Sequence, residues 1–407
     1  MQTQLSPEFQ GTPEGQEAEA ILRKCVHCGF CTATCPTYQV FGDELDGPRG
    51  RIYLIKQVFE GQTPTEKTQQ HLDRCLTCRN CETTCPSGVQ YGHLVDLGRK
   101  VVDARVPRSA SQRALRWALK EGLPSPLFAP AMKLGQAVRG LLPAALKAKV
   151  PAPRPAGPWP TRSHARKVLM LAGCVQPAMA PNINAATARV LDAAGIQAVV
   201  APAAGCCGAV KFHLNDQVGG RDQMRANIDA WWPFVERGEV EAIVMNASGC
   251  GVTVKEYGYH LRQDPAYADK AARISALTKD LSELLPDWVP ALKGRVKPPE
   301  EVLAYHPPCT LQHGQKLRGG VEQHLGALGF TVRVATNESH LCCGSAGTYS
   351  VLQPETAQQL RDRKLGHLGT LAPAAIVSAN IGCITHLQSG TGTPVRHWVE
   401  VLDEALG

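Results

Sequence analysis

The 407-residue chain has no run of eighteen consecutive apolar residues, so no segment is expected to cross a membrane as a helix. Its first twenty residues, MQTQLSPEFQGTPEGQEAEA, contain neither a basic stretch nor an apolar one, and no secretory signal is expected. No G-x-G-x-x-G opens a βαβ unit near the start, which argues against a dinucleotide or flavin bound by this chain itself. Acids are scarce between Arg99 and Lys167, where Asp103 and Glu121 stand against fifteen Lys or Arg, a local net of +13 in a chain of net +7. In that segment Leu115, Trp117, Leu119, Leu134, Val138, Leu141 and Leu142 recur among the basic residues, as in short amphipathic helices. The Pro-dense stretch from Pro151 to Pro160 reads as a stiff linker. The segment is either a solvated connector packed on its neighbours or a docking surface for an anionic membrane face or a partner subunit. No nucleic-acid-binding motif accompanies it, so nucleic acid is not an expected partner.

Sixteen cysteines are present, about 4% of the chain. That is below the roughly 8–10% of short secreted disulfide scaffolds. With 43% hydrophobic and 19% charged residues, the chain can bury real cores and is not disordered. A chain with no secretory signal is expected in the cytoplasm, where thiols stay reduced, and its cysteines are then metal ligands or redox groups rather than staples.

Half of them form two copies of one run. Cys25-x-x-Cys28-x-x-Cys31-x-x-x-Cys35-Pro36 recurs 50 residues later as Cys75-x-x-Cys78-x-x-Cys81-x-x-x-Cys85-Pro86. This is the spacing of two-cluster ferredoxins, in which three cysteines hold one [4Fe–4S] cluster and the fourth ligates the other. The expected sets are Cys25, Cys28, Cys31 and Cys85 on the first cluster, and Cys75, Cys78, Cys81 and Cys35 on the second. Zinc needs only four thiolates, commonly on paired C-x-x-C knuckles, and fits the duplicated run less well. The 39 residues between Cys35 and Cys75 carry helical apolar spacing at Ile52, Leu54, Ile55, Val58 and Phe59. The module is therefore expected to be α-helical rather than a β-hairpin ferredoxin. Arg49 and Arg51 lie near a helix start, and the reading favours solvated side chains over charges that tune a cluster.

The other eight cysteines form a second duplication. Cys174, Cys206, Cys207 and Cys250 are matched by Cys309, Cys342, Cys343 and Cys383 at offsets of 135, 136, 136 and 133. Each group follows a short apolar run, such as KVLMLAGC or EAIVMNASGC, with helix-length segments between the runs. Strand–helix alternation predicts a parallel sheet covered by helices. The four cysteines of each copy then converge outside the C-terminal strand ends, where such sheets collect ligands. Four thiols per copy suffice for one or two further iron–sulfur clusters, or they are inert buried cysteines. The fold class expected is α+β and multidomain: a helical two-cluster ferredoxin domain, then a duplicated α/β domain with parallel sheets. The expected divisions are 15–98 (motifs near 15–46 and 66–95), 99–165 for the basic helical segment and Pro-rich linker, 166–295, and 300–402.

The elements AGCCGAVKFHLN, NASGCGVTVKEYG, HPPCTLQH, CCGSAGTYS and NIGCITHL resemble the cysteine-rich "CCG" domain of heterodisulfide reductase type. A twin ferredoxin run followed by two CCG domains resembles, over nearly the whole chain, the iron–sulfur subunits of bacterial glycolate oxidases (glycolate dehydrogenases). Subunits of lactate and anaerobic glycerol-3-phosphate dehydrogenases share the layout. The resemblance implies electron transfer from a separate FAD-binding subunit, which oxidises glycolate to glyoxylate, to a membrane acceptor such as quinone. It also implies a peripheral place on the cytoplasmic face of the bacterial inner membrane. Related CCG domains with a non-cubane cluster end in C-x-x-C, whereas this chain has Thr253 and His386 at the last position. His386 is thus a candidate fifth ligand in the second copy, and His313 and His213 are weaker ones. An iron–sulfur redox sensor touching nucleic acid through the basic segment is the competing reading from another class.

Overall fold

A computed structural model describes residues 1–143, 147 and 150–406. Positions 144–146, 148 and 149 of the basic segment lie outside the described residues.

The N-terminal third is helical, and no strand occurs among its described residues. Helices α1 (Pro13–Lys24), α2 (Pro48–Phe59), α3 (Glu66–Asp73) and α4 (Tyr91–Arg105) enclose one core. It is built from Ile21, Leu22, Ile52, Ile55, Phe59, Leu72, Leu94 and Val95. Spacings of three and four residues put Ile52, Ile55 and Phe59 on one face of α2. Thr12 caps α1 by accepting from the Gly15 amide, with Pro13 at the first helical position, where its missing N–H costs nothing. The cysteine runs lie in the loops and single-turn helices between these four, as the helical spacing predicts.

Arg51, expected from the sequence to be solvated, is instead buried. Its side chain is 1% exposed, donating to the His71 carbonyl at 2.7 Å and to Thr37 Oγ1 at 3.0 Å. The buried Asp46 carboxylate lies 3.4 Å away, and a guanidinium with this many acceptors can leave water. Arg49 does stay half-exposed, paired with Glu44 at 2.6 Å.

Two further helices, α5 (Ala110–Gly122) and α6 (Phe128–Ala137), follow. Much of the basic excess is spent internally. Arg108 and Arg116 pair with Asp73 at 2.6 and 3.0 Å, Lys120 with Asp216 at 3.2 Å, and Arg154 with Glu400 at 3.4 Å. The connector thus straps the helical module to both later units, while Trp117, Leu127, Leu134 and Leu141 remain exposed.

Strands β1 (Arg166–Met170), β2 (Ile196–Val199), β3 (Ala242–Met245) and β4 (Thr278–Asp280) form an all-parallel sheet of order β2-β1-β3-β4. Strands β5 (Val302–Tyr305), β6 (Thr331–Val334), β7 (Ala375–Ser378) and β8 (Val395–His397) repeat it as β6-β5-β7-β8. The chain reverses its winding direction beside β1 and β5, leaving a crevice at the C-terminal strand ends. The copies share one hydrophobic core, in which Val168, Ile196 and Trp288 join Leu303, Val377 and Trp398. The Ser248 amide donates to the Ala379 carbonyl at 3.0 Å, and Arg189 pairs with Asp403 at 2.6 Å.

Candidate metal centres

The two ferredoxin-type loops have the same backbone. His27 (φ 58°) and Gly29 (φ 85°) in the first are matched by Thr77 (φ 51°) and Arg79 (φ 57°) in the second. Left-handed backbone at non-glycine residues costs on the order of 1–3 kcal/mol each and persists where the surroundings demand it. Here it curls each loop tightly around its thiols.

Those thiols fall into two cavities. One is lined by Cys25, Cys28, Cys31 and Cys85, with Cys81 on its wall. The other is lined by Cys35, Cys75, Cys78 and Cys81. The fourth cysteine of each run therefore crosses to the other run's cavity. Burial pushes the Cys31 thiol up to about 11 and also raises Cys25, so ionised ligands here need a cation to bind. The polar frame suits an anionic cofactor: the Thr77 amide points at Cys75 Sγ at 3.4 Å, and Arg51 stands near Cys35 and Cys75. Arg99 donates to the Leu72 and Cys75 carbonyls at 2.7 and 2.6 Å, fixing the start of the second loop. Four-thiol donor sets with amides and guanidinium groups nearby fit [4Fe–4S] clusters.

The remaining eight cysteines gather as the strand pattern predicts, one group per copy at the C-terminal strand ends. For the glycine of each CCG element, close approach decides the residue. A Cβ on Gly208 (φ +94°) would stand 2.7 Å from the Gly220 carbonyl oxygen, and one on Gly344 (φ +89°) 2.3 Å from that of Ala357. Only glycine combines the left-handed turn with that contact.

In the first copy the thiols run Cys174, Cys206, Cys207, Cys250, each within hydrogen-bonding reach of the next. Hydrogen bonds from Cys174 and Cys207, and from the Gly208 and Val210 amides, pull the Cys206 thiol down. On helix α7 (Gln217–Glu236), Asn227 donates to the Cys206 carbonyl at 2.8 Å. Tyr257 donates to the Cys207 carbonyl at 2.9 Å. Cys174 and Cys250 are half-buried.

In the second copy the order is Cys309, Cys342, Cys343, Cys383, and all four are buried. Helix α8 (Pro354–Gly369) brings Lys364 beside Cys309, Cys342 and Cys343, with its ammonium bonded to the Glu338 carbonyl. His306 is 1% exposed, and neither ring nitrogen has a hydrogen-bond partner, which costs about 1–3 kcal/mol per unsatisfied group. One of its nitrogens and the Cys343 and Cys383 sulfurs all lie within 4.8 Å of one another.

This second group abuts the helical module. Leu76, Cys309, Cys342 and Tyr349 pack in one cluster with Cys78 against it. Cys78 is close enough to Cys309 and Cys342 for each to disfavour the other's ionisation. Tyr349 donates to the Arg74 carbonyl at 3.1 Å. The first copy meets the module through the Arg79–Glu256 pair at 2.5 Å, Arg79 also lining the second cavity, and through a His93–Tyr259 stack at 3.7 Å.

The histidines singled out from sequence are placed as follows. His386 Nε2 donates to the Ala357 carbonyl at 3.0 Å. His313 bonds the His340 carbonyl and Thr83 Oγ1, both at 2.9 Å, and so belongs to the module–copy junction. His213 is partly exposed, 3.8 Å from Asp96. His306 and Lys364 escaped the sequence reading. The signal for His306 was its place three residues before Cys309, where the first copy has Leu171 three residues before Cys174.

Family models agree with this layout. A "4Fe-4S dicluster domain" matches residues 21–89, and a "Cysteine-rich domain" matches 168–255 and again 303–388. The "Glycolate oxidase iron-sulfur subunit" of Escherichia coli (strain K12) is 56% identical over 411 residues, covering 100% of this chain and 99% of the relative. The "Probable glycolate oxidase iron-sulfur subunit" of Bacillus subtilis (strain 168) is 30% identical, with coverage of 96% and 95%. "Lactate utilization protein A" of Geobacillus thermodenitrificans (strain NG80-2) is 26% identical over 58% of this chain and 98% of its own length. With duplicated four-thiol cavities, two CCG domains and full-length identity above half, the chain belongs to the glycolate oxidase iron–sulfur subunit family.

Proposed function

We propose that the chain is the electron-transfer subunit of a glycolate-oxidising complex, working beside a flavin-binding partner that converts glycolate to glyoxylate. The observation that supports the wiring is the adjacency of three thiol groups: the Cys25 cavity, the Cys75 cavity and the Cys309 group follow one another in space. Cys25, Cys28, Cys31 and Cys85 hold the first [4Fe–4S] cluster, and Cys75, Cys78, Cys81 and Cys35 the second. Bound there, the clusters supply one-electron carriers that complement a two-electron flavin. Cys28 is exposed between the exposed Val26 and Phe30, giving the row an outlet towards a partner subunit. The buried Arg51–Asp46 pair and Arg99 hold the loops beside the second cavity in register.

The working units are 15–98, 99–165, 166–295 and 300–402. No helix among the described residues is long and apolar enough to cross a membrane. The exposed Trp117, Leu127, Leu134 and Leu141 on the basic connector suit a peripheral seat on the cytoplasmic membrane face, near a quinone acceptor. Arg116 and Lys120 already pair internally, so the apolar residues carry that contact.

The experiment is anaerobic purification with the flavoprotein partner, followed by iron and acid-labile sulfide counts and dye-linked assays. At least about eight irons per chain are expected, with glycolate the preferred donor. Preference for lactate would favour the reading suggested by the shorter lactate-utilisation relatives, and preference for glycerol-3-phosphate would favour the third dehydrogenase type. A stable flavoprotein complex also excludes the redox-sensor reading.

A further inference from the structure

We propose that His306 is a metal ligand of the second CCG copy, completing with Cys343 and Cys383 a mixed nitrogen–sulfur centre that the first copy cannot form. This rests on the reading that the second copy's cysteines hold a metal. Two independent observations carry it. The first is convergence: one imidazole nitrogen and two thiol sulfurs lie within 4.8 Å of one another. Ligands on one tetrahedral ion, with metal–nitrogen near 2.0–2.1 Å and metal–sulfur near 2.3 Å, stand about 3.5–3.8 Å apart. Small rotamer changes close that gap.

The second is an imidazole held without a partner. The His306 backbone is pinned, its amide donating to the Val377 carbonyl at 2.8 Å and its carbonyl accepting from Ser378 Oγ at 2.9 Å. The ring is thereby fixed at the end of β5, buried, with both nitrogens unbonded. A buried polar group left this way calls for a ligand. Cys342, within hydrogen-bonding reach of Cys343, is placed to supply a fourth donor, and Lys364 offsets the thiolate charge. In the first copy the matching position is the apolar Leu171, three residues before Cys174, so that centre has thiols alone.

Nitrogen–sulfur donor sets take a borderline cation, and in the copy whose cysteines adjoin the ferredoxin loops that cation is an iron of a cluster. The test uses the full chain purified anaerobically, as wild type, His306→Leu and His306→Cys. Iron, zinc and acid-labile sulfide are counted per chain. Nitrogen ligation is read by pulsed EPR on 15N-histidine-labelled protein for iron, and by zinc-edge X-ray absorption for zinc. In wild type, iron and sulfide beyond the two ferredoxin clusters are expected, with a histidine nitrogen in the iron's shell, and zinc in their place overturns the iron assignment. His306→Leu, which installs the residue the first copy already accommodates, loses that metal while the ferredoxin EPR signals persist and report a folded chain. His306→Cys retains metal and loses the nitrogen signature. Unchanged metal content in His306→Leu, or a wild-type centre without nitrogen, overturns the proposal and leaves the thiol site standing. If wild type carries no metal beyond the ferredoxin clusters, the underlying reading falls as well.

Discussion

The two CCG copies share strand order, parallel register and the placement of four cysteines, yet they surround those cysteines differently. The first is partly open, and the neutral side chains of Asn227 and Tyr257 brace its CCG backbone. The second is closed, with His306 and Lys364 in its wall and the Cys78 loop packed against it. Duplication kept the scaffold, and divergence fell on side chains that set charge and access. A parallel sheet fixes where its strand ends converge but leaves the residues beside them free to change. The second copy packs its cysteines against the Cys78 loop, while the first is tied to the module through side-chain contacts of Arg79, His93 and Glu256.

The comparison breaks most sharply at the shared contact. Cys78→Ala and Cys309→Ala are expected to reduce electron delivery to an artificial acceptor to background, with flavin reduction by substrate intact in the complex. Cys206→Ala, outside that contact, should leave most of the delivery. Stopped-flow flavin reduction measured beside steady-state dye reduction checks both. Equal losses from Cys206→Ala and Cys309→Ala would erase the functional distinction between the copies.

A smaller effect sharpens the structural side. Gly344→Ala drives its Cβ to 2.3 Å from the Ala357 carbonyl oxygen, against 2.7 Å from the Gly220 carbonyl oxygen for Gly208→Ala. Each change also places a side chain at positive φ, at a cost on the order of 1–3 kcal/mol. Thermal denaturation should show both variants destabilised, Gly344→Ala more. The reverse order would mean that the second copy's loop yields more easily than its closed packing implies.

Local chemistry was the legible part of the sequence. Ferredoxin ligand spacing spans eleven residues per run, so the runs, their crossed cavities and the helical module around them could be read directly. The CCG repeat was legible because apolar strands and cysteines recur together at a nearly constant offset. Contacts made only on folding were not legible. Arg51 looked solvated because its caging partners Asp46, Thr37 and His71 are scattered over 35 residues. The packing of Cys78 on Cys309 joins positions 231 residues apart, which no periodicity encodes. His306 lay inside a quoted motif, but only burial with both nitrogens unbonded distinguishes it from an ordinary core histidine.

The central claim is that the second copy's centre continues the ferredoxin row. Low-temperature EPR of the full chain during a reductive titration tests it most directly. The account predicts two [4Fe–4S] signals whose line shapes change as they are reduced together, and a further magnetic interaction with a third centre that disappears in Cys309→Ala but persists in Cys206→Ala. Two ferredoxin signals unaffected by Cys309→Ala, or an interaction lost in Cys206→Ala instead, would contradict it.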